Sequence, residues 1–140
     1  MQNSIPSFII IDDSKLDCFI AERIIQSTGN YGVQTFMEAT KVIDLLKNHS
    51  YLVSENKTVI VLDIQMPVMN GFDFVEEFEK LPQSTKAKFE IFMITSSIND
   101  SDLTRIVNYP SINSIQCKPL TKVMVGQMVD QAISFLSNSA

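Results

Sequence analysis

A doubly wound parallel sheet of the α/β class is predicted from three observations on this chain. Short apolar runs without alternation, at residues 8–11, 58–62 and 89–94, read as strands buried on both faces. Between them lie longer stretches whose apolar residues return at helical spacing. Polar residues able to do chemistry stand where the runs stop: Asp12 and Asp13, Asp63, Thr95 and Lys118. Sheets of this kind bind ligands beyond the carboxyl ends of their strands, so these residues are expected to meet at one edge.

The elements follow in order. Residues 8–11 form the first strand. Ser14 is placed as the N-cap of a helix carrying Leu16, Phe19, Ile20 and Ile24 at helical spacing, and Gly29-Asn30 is its stop. Val33–Phe36 is a shorter strand, followed by a helix from about Glu38 with Val42, Leu45 and Leu46 inward. Residues 48–57 are polar and read as a surface loop, with His49 as a solvated cap at the helix end. Residues 58–62 form the strand that delivers Asp63. Gly71 opens a helix through Phe74, Val75 and Phe78, whose acidic run Glu76-Glu77-Glu79 reads as a solvated face.

Residues 82–88 are expected to be a connecting loop. The run 89–94 is the fourth strand and ends in Thr95-Ser96-Ser97. A helix over 100–107 with Leu103, Ile106 and Val107 as its apolar face ends at Tyr109-Pro110. Residues 111–117 make the last strand, weakened by polar residues. Lys118-Pro119 turns the chain into a long helix with Val123, Met124, Met128, Ala132 and Leu136 inward. Five strands alternating with five helices, with no internal repeat or low-complexity tract, give the doubly wound arrangement.

Composition narrows the function. At 140 residues the chain reads as one domain, burying roughly two-thirds of its unfolded surface. A hydrophobic share of 45% with 19% charged residues fits a soluble globular protein. The net charge of -5 argues against direct nucleic-acid binding, which needs Lys and Arg to neutralise phosphates. No apolar stretch approaches the ~20 residues of a membrane span, and the first residues carry no secretory signal. Cys18 and Cys117 are far apart and form no CxxC pair, so free thiols in a cytoplasmic setting are expected. Cys117 is read as a buried, inert thiol despite its neighbour Lys118.

Asp63 is the most telling residue. It closes Val59-Ile60-Val61-Leu62 and precedes Met66-Pro67-Val68-Met69-Asn70-Gly71. An ionised carboxylate at the end of a buried strand resists burial unless it is paired or metal-bound. Three carboxylates at two strand ends, with no His or Cys among them, suit Mg²⁺. Lys118 adds a fixed cation and Thr95 a hydroxyl donor. Phosphoryl transfer calls for this combination, because positioning and charge neutralisation do most of the work.

On these residues the chain resembles the response-regulator receiver domain of two-component signalling, from Ile9 to about Phe135. Asp12-Asp13 looks like the acidic pair, Asp63 the phosphorylated aspartate, Thr95 the hydroxyl position and Lys118-Pro119 the Lys-Pro turn. Met66 to Gly71 looks like the loop after the phosphoacceptor. The resemblance implies a flavodoxin-like (βα)5 sheet with strand order 2-1-3-4-5 and a single receiver domain spanning 1–140, its core at about 7–137. It implies that Asp63 accepts a phosphoryl group from a phosphohistidine on a sensor histidine kinase or a histidine phosphotransfer protein. Asp13 and Asp63 would bind Mg²⁺ directly with the backbone carbonyl of Gln65, and Asp12 mainly through water. Lys118 and Thr95 would contact the phosphoryl oxygens, and the small Ser96 would leave room for the group. Such a domain is not an enzyme in the ordinary sense; it catalyses only its own phosphorylation and dephosphorylation. Its output would go to a downstream protein that the sequence does not identify.

Two departures stand out. Relatives commonly carry Tyr or Phe three residues before the lysine, and this chain has Ile115. Gln65 and Ser97 occupy positions thought to tune dephosphorylation in the family, and neither is charged. Two other function classes remain at this stage. One is a receiver-like module that binds a partner without phosphorylation. The other is an aspartate-nucleophile phosphatase of the haloacid-dehalogenase type, whose nucleophile usually has a second Asp two residues on, where this chain has Gln65.

Overall fold

The computed structural model describes residues 5–48 and 57–138. Five parallel strands stand in the order β2-β1-β3-β4-β5. They are β1 (Ser7–Ile11), β2 (Val33–Phe36), β3 (Thr58–Asp63), β4 (Phe89–Thr95) and β5 (Ile112–Cys117). The helices are α1 (Lys15–Thr28), α2 (Ala39–Lys47), α3 (Gly71–Glu79), α4 (Gln83–Lys86), α5 (Asp100–Ile106) and α6 (Lys122–Asn138).

Alternate strand residues build two cores. Ile9, Ile11, Ile60, Leu62, Ile91 and Met93 face α2 and α3. Phe8, Ile10, Val59, Val61, Phe92 and Ile94 face α1 and α6. With both faces covered, the period-2 pattern of β1, β3 and β4 vanishes into continuous apolar runs. β5 lies at the sheet edge, and its register slips between Ile91 and Phe92 of β4, leaving Asn113 out of the ladder.

Several expectations need correction. Leu16, Phe19 and Ile20 are exposed, and α1 buries Cys18, Ala21 and Ile25 instead. At 100° per residue the two sets lie on opposite faces, and small Cys18 and Ala21 allow the helix close to the sheet. In α6, Val123 is 71% exposed while Val125, Met128, Val129 and Ala132 are buried; the Leu136 side chain falls outside the described residues, as does His49. In α5 Leu103 is exposed, as is Val107 just beyond its end, and only Ile106 packs against the core.

The 82–88 stretch holds the one-turn helix α4, too short to show a periodicity. Pro82 presets its entry, and the Pro82 carbonyl accepts from the N–H groups of Thr85 and Lys86. Lys57, expected in a surface loop, is buried at 2% exposure. The acidic face of α3 is more than solvated. Glu76 accepts from the Tyr109 hydroxyl at 2.6 Å, and Glu79 from the Ser111 N–H at 3.0 Å, tying α3 to the segment before β5.

Candidate functional site

Sheet register brings the site together. Ile11 pairs with Leu62, so Asp12 and Asp63 emerge side by side one residue further on. Thr95 pairs with Cys117, and the Lys118 N–H donates to the Thr95 carbonyl at 2.7 Å. All five sequence-predicted side chains therefore reach the carboxyl edge.

Local folding fixes each approach. Ser14 caps α1 by accepting from the Asp17 N–H at 3.1 Å, while its own N–H donates to Asp12 Oδ1 at 2.9 Å. Asn70 and Asp73 form a reciprocal capping box at the start of α3. A Cβ on Gly71 would stand 2.8 Å from the Asp63 carbonyl oxygen, so only glycine lets α3 begin against that strand end. In the intervening loop Val68 has φ 69 and is 97% exposed.

Asp12 and Asp63 are buried and Asp13 is exposed, and one carboxylate oxygen from each lies within 4.8 Å of the others. Lys118 Nζ donates to Asp12 Oδ2 at 2.7 Å and stands 3.5 Å from Asp63 Oδ1. It also donates to Asp17 Oδ2 at 2.8 Å. Burial, aided by the negative charge of Asp12 and opposed by Lys118, pushes the Asp63 carboxyl up to about 6. Burial works against the Lys118 charge, yet its hydrogen bonds to Asp12 and Asp17 outweigh that and raise its pKa. The Cys18 thiol, buried and beside Asp12, is pushed up to about 11; its Sγ donates to the Asp12 carbonyl.

The remaining positions are more mixed. Thr95 is buried at the strand end, but its hydroxyl donates to the Ser97 carbonyl at 3.2 Å. Gln65, Ser96 and Ser97 are exposed around the acidic cluster. Ile115 is half-buried and packs against the α2–α3 core. Cys117 corrects its expectation: it is exposed on the edge strand, with Sγ donating to the Ser96 carbonyl at 3.4 Å. Asp17 was not singled out by the sequence reading. Its place three residues after Ser14 reads as an ordinary helix-start acid, which hides the carboxylate that reaches Lys118.

A five-stranded doubly wound sheet carrying three carboxylates and a lysine at its switch-point edge defines the class of receiver-type signalling folds. The chain matches the response regulator receiver domain over residues 8–129, and it belongs to that family. A two-component response regulator from Cytophaga hutchinsonii superposes with a TM-score of 0.83 at 24% identity, covering 94% of this chain and 99% of the other. A response regulator receiver protein from Dyadobacter fermentans is 33% identical with a TM-score of 0.78, covering 91% and 97%. Stress response regulator protein 1 of Scheffersomyces stipitis is 28% identical over 116 residues, 82% of this chain. The chain spans only 37% of that relative's length. No helix among the described residues is long and apolar enough to cross a membrane.

Proposed function

We propose that this chain is a phosphoacceptor module. Asp63 takes a phosphoryl group from a phosphohistidine on a sensor histidine kinase or a histidine phosphotransfer protein, and the modified chain alters its contacts with a protein partner. The observation that carries this reading is the convergence of three carboxylates within 4.8 Å of one another, with Lys118 3.5 Å from Asp63. A donor set made only of carboxylate oxygens, two of them buried, fits Mg²⁺. Asp13 and Asp63 would hold it with the Gln65 backbone carbonyl, and Asp12 through water. Bound there, Mg²⁺ would supply positive charge to phosphoryl oxygens that one lysine cannot balance.

The chain's own residues do the rest. An ionised Asp63 oxygen attacks phosphorus; the P–N bond to the donor imidazole breaks as the O–P bond forms, and the imidazole takes its proton from solvent. Lys118 turns its N–H donors to the new phosphoryl oxygens. The Thr95 hydroxyl leaves the Ser97 carbonyl and donates to them as well, which gives the phosphorylated state a differential interaction. Ile115 repacks but offers no phenol hydroxyl to a partner. The change is therefore centred on residues 96–101 and the face between α5 and β5. The receiver unit has its core at about 7–137. Cys18 and Cys117, both free thiols, support a cytoplasmic place.

An acyl phosphate donor with Mg²⁺ is expected to add one base-labile phosphoryl group, read by intact mass, and Asp63→Asn to abolish it. Undiminished labelling of that variant overturns the assignment. A folded wild type that takes no label favours the second reading, a binding module without phosphorylation, which Ile115 at the switch position keeps in view.

A further inference from the structure

Lys118 has one carboxylate more than the proposed phosphoryl chemistry uses. Its ammonium carries three N–H donors and commits two at short range, to Asp12 at 2.7 Å and Asp17 at 2.8 Å. Asp63, the group it would serve, is the most distant of the three at 3.5 Å. Asp12 is fixed in place, buried and accepting from the Ser14 N–H. Asp17 differs: it stands on the first turn of α1 rather than at a strand end, and its side chain is 38% exposed. A cavity of about 70 Å³ lies against the pair, with Ile20, Pro119 and Leu120 among its walls.

We propose that Asp17 is a positioning residue that holds Lys118 toward α1 in the resting state and releases it when a phosphoryl group is seated on Asp63. The inference rests on the phosphoacceptor reading of Asp63. A phosphoryl group there adds negative charge at the far side of the lysine, whose flexible stem lets the ammonium follow it. While Asp17 retains the lysine, only part of the population can receive the group with full stabilisation, and apparent affinity falls by that fraction. Asp17→Asn removes the competing charge and keeps the backbone N–H that Ser14 caps. The helix start is preserved while the hold on Lys118 is weakened.

The test uses beryllofluoride, a phosphoryl mimic, with Mg²⁺ on the whole chain. Asp17→Asn is expected to bind it about two- to fivefold more tightly than wild type, the range of a partly exposed ion pair given up on binding. In the same variant without beryllofluoride, the Lys118 ε-methylene NMR signals should already lie displaced toward their beryllofluoride-bound positions. A structural role for Asp17 in the helix start would not move them. Equal or weaker binding by the variant, or Lys118 signals that stay at wild-type positions, overturns the proposal while leaving Asp63 as phosphoacceptor. A folded wild type that does not bind beryllofluoride overturns the phosphoacceptor reading, and the role of Asp17 with it.

Discussion

Lys57 and Lys118 stand at opposite ends of one sheet and meet burial in different ways. Lys57, entering β3 at the amino edge, donates to the Ala87 carbonyl at 3.1 Å and pairs with Glu90 at 3.6 Å. Burial lowers its pKa and Glu90 opposes the shift. Lys118, leaving β5 at the carboxyl edge, faces Asp12, Asp17 and Asp63 together, and its charge is reinforced. One lysine is a rivet between β3 and β4. The other is outnumbered by carboxylates, and that surplus negative charge is what can attract a cation and leave a lysine with a choice of partners.

The largest effect that separates the two ends is expected from Lys57→Ala. Removing Lys57 leaves the half-buried Glu90 with only the Asn113 amide and the Ala87 carbonyl without its donor, at a cost of about 3 kcal/mol in urea unfolding. Where the variant is folded, its labelling at Asp63 should match wild type. A cost below about 1 kcal/mol would make the amino-edge pair as weak as a surface one and erase the contrast.

An effect of comparable size and opposite sign is expected at the other end. Asp63 titrates near 3.8 when unfolded and at about 6 when folded. The folded state therefore binds its proton more readily; this contribution is complete below the lower value and lost as pH rises through the upper one. Asn carries no charge at any pH. Asp63→Asn should thus be more stable than wild type by about 3 kcal/mol above neutrality without divalent cations, with the gap closing toward pH ~4. An equal gap at both ends of the range would show that burying the Asp63 charge beside Asp12 does not strain the fold.

The smallest effect concerns backbone rather than charge. Val68 holds a φ of 69, a left-handed conformation that a β-branched residue resists, with its side chain almost fully in solvent. Val68→Gly should raise stability by about 1 kcal/mol in thermal melts, relief of strain exceeding the entropy cost of glycine. No gain would mean that the carboxyl edge differs from the amino edge in charge alone.

Much of this was legible in the chain because buried parallel strands print themselves as unbroken apolar runs. The runs ending at Ile11, Leu62 and Ile94 located the carboxyl edge, and with it Asp12, Asp63 and Thr95. Helix faces were harder to read. α1 carries two apolar stripes, and the bulkier one, Leu16-Phe19-Ile20, points outward because the smaller Cys18 and Ala21 suit close packing on the sheet. Lys57 was hidden by its polar neighbours in sequence, since its partner Glu90 lies on another strand. Asp17 was hidden for the opposite reason: a local explanation, the helix start, was already sufficient. Spacing along the chain reveals groups on one element, whereas ion pairs between elements appear only once the chain is folded.

The helix α5 buries none of its residues. What ties this region down lies at its end: Ile106 against the core, the Arg105 guanidinium 4.3 Å over the Phe72 ring, and the nearby Tyr109 hydroxyl on Glu76. Such an element opens at a small fraction of the free energy that unfolds the sheet, and its amides should exchange with solvent well before those of β3 or β4. Its Leu103 and the adjoining Val107 face solvent rather than the core, so their replacement costs the core nothing. Substitutions there can thus change this surface, one exposed side chain at a time, without disturbing the fold that carries Asp63.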